Sequence, residues 1–169
     1  MNDMVEFDWS RFSIRVNIQA SAEKLYGCWA TREGIESWFL RKADYVKQDL
    51  VPYLPGDEVQ KGDTYTWWWH GYPDDIQEQG EILEANGKDY FQFRFGDAGI
   101  CTVRIFEEQG QQIVELTQSD IPVDEKARQQ WHLGCKTGWI FYLTNLKSVL
   151  EGGLDLRNKN MSIQQVITA

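Results

Sequence analysis

The sequence predicts an α+β fold in which a run of antiparallel strands is followed by one long C-terminal helix. Between residues 12 and 118, segments that alternate apolar and polar residues are separated by short turns containing glycine, as in antiparallel sheets. From residue 124 to 153 the apolar residues recur instead with a period near 3.6, which is typical of a helix. Because the strands come in a run before the helix, we expect the helix to lie on one face of the sheet.

The first strand and two short helices are predicted at the start of this run. Residues 12–18, FSIRVNI, alternate without a break and indicate a strand with one buried face. Ser21 is a suitable N-cap for a helix at residues 22–30, and Thr31 for a second helix at residues 32–40. Two short helices are therefore expected between the first strand and the rest of the sheet.

The remaining strands follow a long loop. A weak strand is predicted at residues 43–46, and the prolines and glycines of residues 47–62 predict the loop. Further strands are predicted at residues 64–70, 77–85, 90–95, 100–107 and 112–118. Turns of the types NGKD, GDAG and EQGQ join the later strands as hairpins. The sheet should therefore contain about six or seven strands.

The long helix has one apolar face and suitable signals at both ends. Its apolar residues are Trp131, Cys135, Trp139, Tyr142, Leu143, Leu146, Val149 and Leu150. Asp124 and Glu125 lie near the positive end of the helix dipole, and Gly152 and Gly153 can end the helix. At about 1.5 Å per residue the helix is roughly 40 Å long, so it needs a broad partner surface.

Length and composition limit the class of protein. A chain of 169 residues is expected to form a single domain, with a core at about 12–153 and a tail at 154–169. Three widely spaced cysteines without a CxxC pair indicate a reducing compartment, so we expect a cytoplasmic protein. With a net charge of -9 and no long apolar run, we expect neither nucleic-acid binding nor membrane insertion.

Three stretches of the sequence resemble a known family. They are IQASAEKLYGCWATREGIESWF, then GDTYTWWW leading to GEILEANGKDYFQFRF, and then Gly138 and Trp139 with the leucines that follow them. Together with the order of elements, they resemble the START-like superfamily, also called SRPBCC, and in particular its activator-of-heat-shock-ATPase homologue (AHSA-like) branch. The resemblance implies a helix-grip fold over the whole chain, in which a curved antiparallel sheet wraps the long helix and leaves a cavity between them.

The resemblance leaves three classes of function open. The superfamily includes binders of lipids and hormones, domains that assist a heat-shock chaperone, and polyketide cyclases and aromatases, and the fold alone does not choose among them. We expect a binding protein that holds an apolar or aromatic small molecule without catalysis of its own. The alternatives are a co-chaperone-like interaction module and a cyclase-like enzyme.

No constellation of residues indicates a catalytic, cofactor or metal site. His70 and His132 lie in different elements without metal-ligand spacing, although His132 is placed where it can reach the rim of a cavity. Nucleotide and hydrolase motifs are absent from the sequence. Among the carboxylates, only Glu81 or Glu84 lies in a strand that can border a cavity. We therefore predict no catalytic residue, no cofactor and no metal.

The aromatic residues are the candidates for a binding site, since eight Trp, eight Phe and seven Tyr exceed what a plain core requires. The predicted cavity residues are Trp38, Tyr65, Trp67, Trp69, Phe91, Phe93, Phe95, Trp131, Cys135, Gly138 and Tyr142. In the helix, Gly134 and Gly138 remove side-chain bulk where a gap can open. Two interpretations remain: the rings fill a closed core, or they line a cavity.

Three apolar residues of the long helix lie off its apolar face. Leu133, Ile140 and Phe141 must be covered either by the tail at 154–169 or by another subunit in a homodimer. The sequence does not choose among these.

Overall fold

The computed structural model describes residues 5–168, so residues 1–4 and Ala169, the last residue of the predicted tail, lie outside the described part. The strands are β1 (Phe12–Ile18), β2 (Lys42–Val46), β3 (Thr64–Trp68), β4 (Glu78–Ala85), β5 (Tyr90–Arg94), β6 (Ile100–Glu108) and β7 (Gln111–Ser119). They form one antiparallel sheet in the order β1-β7-β6-β5-β4-β3-β2. The predicted α+β class and its helix-grip arrangement are confirmed.

Two short helices follow β1, as predicted. They are α1 (Ala22–Ala30) and α2 (Arg32–Glu36). The side chains of Ser21 and Thr31 accept hydrogen bonds from the backbone N–H groups two or three residues into each helix, so both predicted N-caps are confirmed. The second helix ends earlier than predicted, because the N–H groups of residues 39 and 40 both donate to the carbonyl of Ile35 and end the regular pattern.

The long helix contains a wide turn that the sequence did not predict. It consists of α3 (Glu125–Ala127), a π-helical segment (Arg128–Leu133) and α4 (Gly134–Leu150). The side chain of Asp124 accepts from Ala127 N–H, which confirms the predicted start. Since a π turn holds more residues than an α turn, the residues before Gly134 are rotated from the positions that a constant period of 3.6 assigns to them.

The core lies between the concave face of the sheet and α4, with α1 packed at one end. The largest fully buried side chains include Trp29, Trp38, Trp67, Phe91 and Phe93. The inward faces predicted for β3, β5 and β6 are buried as expected. On the helix, Trp139, Leu143 and Leu146 face them. None of the helices described between residues 5 and 168 combines the length and apolar character that crossing a bilayer requires.

A buried asparagine connects α4 to the tail. Asn145 is fully buried, and its Nδ2 donates to the Trp38 carbonyl at 2.8 Å and to Asp155 Oδ1 at 3.1 Å. Its Oδ1 accepts from Leu156 N–H at 2.7 Å. We call residues 154–157 the C-terminal strap, because they fold back against α4 and the turn that follows α2.

An arginine in the strap completes this connection. Arg157 is 8% exposed, and its Nη1 donates to the Leu40 carbonyl at 2.9 Å. Its Nε and Nη2 donate to the carboxylate of Asp155, at 2.9 Å and 2.8 Å. The strap therefore holds the turn after α2 against the long helix.

The strap does not cover the apolar residues that lie off the buried face of the helix. Leu133 and Ile140 are 48% and 50% exposed, whereas Phe141 packs partly against the core. The reason is that Asp155 and Arg157 hold the strap on the side of the helix that carries Asn145.

The closeness of α1 and α2 depends on one glycine, which gives a matched pair of substitutions. A Cβ at Gly34 would lie 1.9 Å from the Gly27 carbonyl oxygen, whereas a Cβ at Gly27 would meet nothing within 4 Å. Gly34→Ala is expected to lower the free energy of unfolding by about 1–3 kcal/mol through overpacking. Gly27→Ala is expected to raise it by up to about 1 kcal/mol through helix propensity. Urea denaturation measures both, and equal effects would contradict the close approach.

The strap also predicts a pH dependence. Partial burial raises the pKa of Asp155, but hydrogen bonds from Arg157 and Lys159 lower it more, and the net pKa lies well below its ordinary value. A depressed pKa in the folded state contributes stability that is present above the unfolded value, near pH 4, and is lost as the pH falls. Asp155→Asn should therefore destabilise the protein at pH 7 and progressively less below pH 4. Denaturation at pH 7, 5 and 3 tests this, and a penalty independent of pH would contradict it.

Candidate ligand cavity

A cavity of about 170 Å³ lies between α4 and rings that extend from the ends of two strands. Its lining residues are Phe39, Trp69, Phe95, Gln130, Gly134, Cys135, Gly138, Trp139 and Tyr142. Phe39 comes from the turn after α2, and Trp69 and Phe95 directly follow β3 and β5. We call this space the inner cavity, because Phe39 and Trp139 are each only 2% exposed.

A second space adjoins the first and leads to the surface. It measures about 260 Å³ and is lined by Trp69, Tyr72, Ile76, Gly138 and Tyr142. Tyr72 and Ile76, in the loop between β3 and β4, are 44% and 48% exposed, so we call it the outer cavity. Because three residues border both cavities, the two spaces meet beside Gly138 and Tyr142.

Two glycines of α4 keep this region open. A Cβ at Gly138 would meet no atom within 4 Å, and a Cβ at Gly134 would meet only the Gln129 carbonyl oxygen at 3.4 Å. The gap therefore lies at the glycines that the sequence singled out. Larger side chains at these positions would extend into the space that now separates helix from rings.

The aromatic lining is held in place by contacts among the rings. Phe39 lies 4.8 Å from Trp139 and 4.9 Å from Tyr142 between ring centroids, and 5.7 Å from Trp69. Phe95 lies 5.7 Å from Trp139. Such tilted and edge-to-face pairs are favourable beyond the burial of their area. The cavity is therefore preformed.

A buried glutamine positions Trp139. Gln118 on β7 is fully buried, and its Oε1 accepts from Trp139 Nε1 at 3.0 Å. Its Nε2 donates to the Ala98 carbonyl at 2.9 Å. Both ends of the Gln118 amide are bonded within the protein, so Gln118 fixes the indole ring of Trp139. The bond uses the indole N–H, and the ring face remains in contact with the cavity.

The two cavities contain few polar groups and none of their lining residues is charged. Burial raises the pKa of the Cys135 thiol and of the Tyr142 hydroxyl. Both groups are therefore protonated and neutral at neutral pH. The remaining polar side chain of the inner cavity, Gln130, lies exposed at its edge.

The structure divides the predicted cavity residues into three groups. Those that border the inner cavity are Trp69, Phe95, Cys135, Gly138 and Tyr142. Those buried in the surrounding core, each at most 3% exposed, are Trp38, Tyr65, Trp67, Phe91 and Phe93. Trp131, in the π-helical segment, is partly buried and packs against the core.

Four lining residues of the inner cavity were not among the predicted cavity residues, although the sequence indicates Gly134 as a place where a gap can open. They are Phe39, Gln130, Gly134 and Trp139. Trp139 follows Cys135 by four residues and so shares its helix face, a signal that the sequence contains. Phe39 adjoins Trp38 in the Trp-Phe dipeptide, but only the packing shows which of the two rings reaches the cavity.

The prediction that His132 reaches the rim of the cavity is wrong. His132 is fully buried in a cluster with Phe7, Trp9 and Phe12, whose ring centroids lie 5.2–5.4 Å from its own. Its Nδ1 lies 2.9 Å from the Trp9 carbonyl, which can only accept, so Nδ1 carries the proton. The π turn explains the difference, because it rotates His132 away from the face that a regular helix would give it.

The two carboxylates considered in β4 do not border either cavity. Glu81 is exposed, and Glu84 pairs with Lys61 at 2.6 Å on the surface. Within residues 5–168 no group of three or more His, Cys, Asp or Glu side chains is arranged to hold a metal ion.

Several solved structures share the fold of this chain. A protein SSP2350 from Staphylococcus saprophyticus has a TM-score of 0.67 and 20% identity, covering 87% of this chain and 96% of its own. The Aha1 dimer from Colwellia psychrerythraea has a TM-score of 0.63 and 16% identity, covering 85% and 97%. The protein MLL2253 from Mesorhizobium loti has a TM-score of 0.63 and 16% identity, covering 84% and 97%. At these identities the likeness shows the fold alone.

The family is shown by a different comparison. No curated protein matches the chain significantly. The family model described as "Activator of Hsp90 ATPase homolog 1-like protein" matches residues 19–151, which is most of the chain. The resemblance found in the sequence is thereby confirmed, and this protein belongs to the family of Activator of Hsp90 ATPase homolog 1-like proteins.

Proposed function

We propose that this protein binds an apolar or aromatic small molecule in the inner cavity and performs no chemistry on it. The observation that supports this most is the open space beside Gly138, which is bordered by the rings of Phe39, Trp69 and Phe95. Ligand sites are mostly apolar, with a few polar groups that orient the ligand. The lining described above has this composition.

The size of the inner cavity limits what it can hold. About 170 Å³ is less than the roughly 300–1,000 Å³ of drug-sized sites. An engineered apolar cavity of about 150 Å³ in another protein binds benzene. The inner cavity is therefore suited to one aromatic ring, and the outer cavity offers room for a substituent.

The chemistry of the lining favours binding over catalysis. A cyclase or related enzyme needs a group that accepts or donates a proton near neutral pH. The titratable groups that border the inner cavity are Cys135 and Tyr142, and burial raises the pKa of both. Neither is a base at neutral pH, so the lining supplies no acid–base pair.

Two measurements test the binding proposal. Native mass spectrometry of freshly purified protein should show an additional mass from a bound small molecule. Backbone amide signals of Cys135 and Gly138 should shift when acetophenone, ethylbenzene or naphthalene is added, because these residues border the cavity. If no ligand co-purifies and no probe shifts these signals, the proposal fails.

A second candidate function is interaction with a chaperone. It is favoured by the family's description and by the half-exposed Leu133 and Ile140, which leave an apolar surface on the outside of the long helix. The protein should then raise the ATP hydrolysis rate of an Hsp90-type chaperone, and Ile140→Lys should abolish the effect. A flat rate across added protein would contradict this function.

The same surface supports a homodimer, and the solved structure of Aha1 from Colwellia psychrerythraea is a dimer. Sedimentation of the intact protein beside one truncated after Gly153 tests it, and monomers in both cases would exclude it.

We further propose that residues 1–169 form one domain, because the described elements share one sheet and one core. We place the protein in the cytoplasm, because Cys28, Cys101 and Cys135 are all free.

A further inference from the structure

We infer that the ligand is a neutral, single-ring aromatic compound carrying a hydrogen-bond acceptor, and that the hydroxyl of Tyr142 binds this acceptor. The inference rests on the proposed function, which it makes specific. In this inference, Tyr142 distinguishes ligands that carry a hydrogen-bond acceptor from those that do not. The surrounding rings distinguish ligands by their shape.

The hydroxyl of Tyr142 differs from those of the other buried tyrosines. Tyr26 accepts from the Gly87 N–H, Tyr45 accepts from an indole N–H, and Tyr65 donates to a backbone carbonyl. Tyr142 is somewhat less buried, at 8% exposed, and no group within residues 5–168 hydrogen-bonds to its hydroxyl. Because this oxygen is not sealed from solvent, it is available to a partner outside the chain.

The hydroxyl is available to a ligand because it faces open space. The unpaired side-chain atoms that are sealed from solvent are Trp29 Nε1, Arg32 Nε and His132 Nε2, and the Tyr142 oxygen is not one of them among the described residues. Tyr142 borders both cavities. Its oxygen is therefore accessible on a residue that borders both cavities.

Because this hydroxyl is protonated, it can donate a hydrogen bond to an acceptor on a ligand. Burial and the neighbouring Tyr72 raise its pKa, so it keeps its proton at physiological pH. Its ring is held at 4.9 Å from Phe39, which fixes its direction. A carbonyl or ether oxygen on the ligand fits such a donor.

The surroundings favour a neutral ligand over an anion. None of the lining residues of either cavity carries a charge. Arg157 is the cation whose charge acts on the Tyr142 hydroxyl. Its guanidinium is already bonded to Asp155 and to the Leu40 carbonyl. A carboxylate would lose its hydration without gaining a cationic partner, which is unfavourable.

Three probes of similar size and the wild-type protein test the inference. Acetophenone carries an acceptor, ethylbenzene has nearly the same shape without one, and benzoate replaces the ketone by a carboxylate. Calorimetric or NMR titration should give binding of acetophenone about three- to tenfold tighter than of ethylbenzene, as one net hydrogen bond provides. Benzoate should bind weaker than either.

Variants then assign the effect to one residue. Tyr142→Phe should remove the preference for acetophenone while ethylbenzene binds as before. Tyr26→Phe, which removes a buried hydroxyl bonded elsewhere, should leave the preference intact. Cys135→Ala removes another donor of the inner cavity and should also leave the preference intact.

The possible outcomes separate the inference from the proposed function. If ethylbenzene and acetophenone bind equally, or if Cys135→Ala rather than Tyr142→Phe removes the preference, the inference is overturned and small-molecule binding stands. Benzoate binding as tightly as acetophenone also overturns it. If no aromatic probe binds, both fail. If Tyr142→Phe does not fold, the wild-type comparison still tests the preference for an acceptor, and Cys135→Ala still tests the other assignment.

Discussion

Asn145→Ala is expected to lower the free energy of unfolding by about 2–4 kcal/mol, because a buried amide with partners at both ends is lost. The substitution leaves the Trp38 carbonyl without its donor at 2.8 Å and the Leu156 N–H without its acceptor at 2.7 Å. Each buried group without a partner costs about 1–3 kcal/mol. Urea denaturation at neutral pH measures the change.

The matched control is Thr144→Ala, one residue earlier in the same helix. Thr144 is exposed, and its hydroxyl donates to the Ile140 carbonyl within the helix. An exposed substitution of this kind is expected to change stability by no more than about 0.5 kcal/mol. If Asn145→Ala were as mild as this control, the strap would not hold the turn after α2. In that case the position of Phe39 in the cavity lining would need another explanation.

Gly138→Leu is expected to weaken the binding of acetophenone by more than tenfold without unfolding the protein. The new side chain starts from a position with no atom within 4 Å and extends into the space where the inner and outer cavities meet. Because leucine is a better helix former than glycine by roughly 0.8 kcal/mol, the variant should be at least as stable as the wild type. Titration with acetophenone and thermal denaturation measure the two properties.

Two further variants show whether the effect comes from filling the cavity. Gly138→Ala fills less of the space and should weaken binding less than leucine does. Gly27→Ala also replaces an unhindered helical glycine, but Gly27 lies in α1 and borders neither cavity, so binding should be unchanged. Unchanged binding in Gly138→Leu would mean that the probe occupies another site.

The elements of the fold could be predicted because their signals are local. Strand alternation, the caps at Ser21, Thr31 and Asp124, and the period of the long helix after Gly134 each depend on a few neighbouring residues, and the structure contains all of them. The π turn at residues 128–133 was missed because nothing in the local composition distinguishes it from an α turn. Because the π turn was missed, His132 was predicted at the rim of the cavity instead of in the buried cluster that contains it.

The candidate site was predicted only as a set of inward-facing rings. Period 2 correctly placed Trp67 and Trp69 on one face, but it does not show that one is enclosed by core and the other borders a gap. That distinction depends on contacts such as Phe39 with Trp139, which lie far apart in the chain. Asn145 was missed for the same reason, since its partners lie in the turn after α2 and in the strap.

The central claim is that the space beside Gly138 is a binding site. Intermolecular nuclear Overhauser effects between acetophenone and the protein test it most directly. We expect contacts from the probe's ring protons to Phe39 and Trp139, and from its methyl group to the region of Tyr142. Contacts confined to Leu133 and Ile140 on the outer surface of the long helix, or no contacts at saturating probe, would contradict the claim.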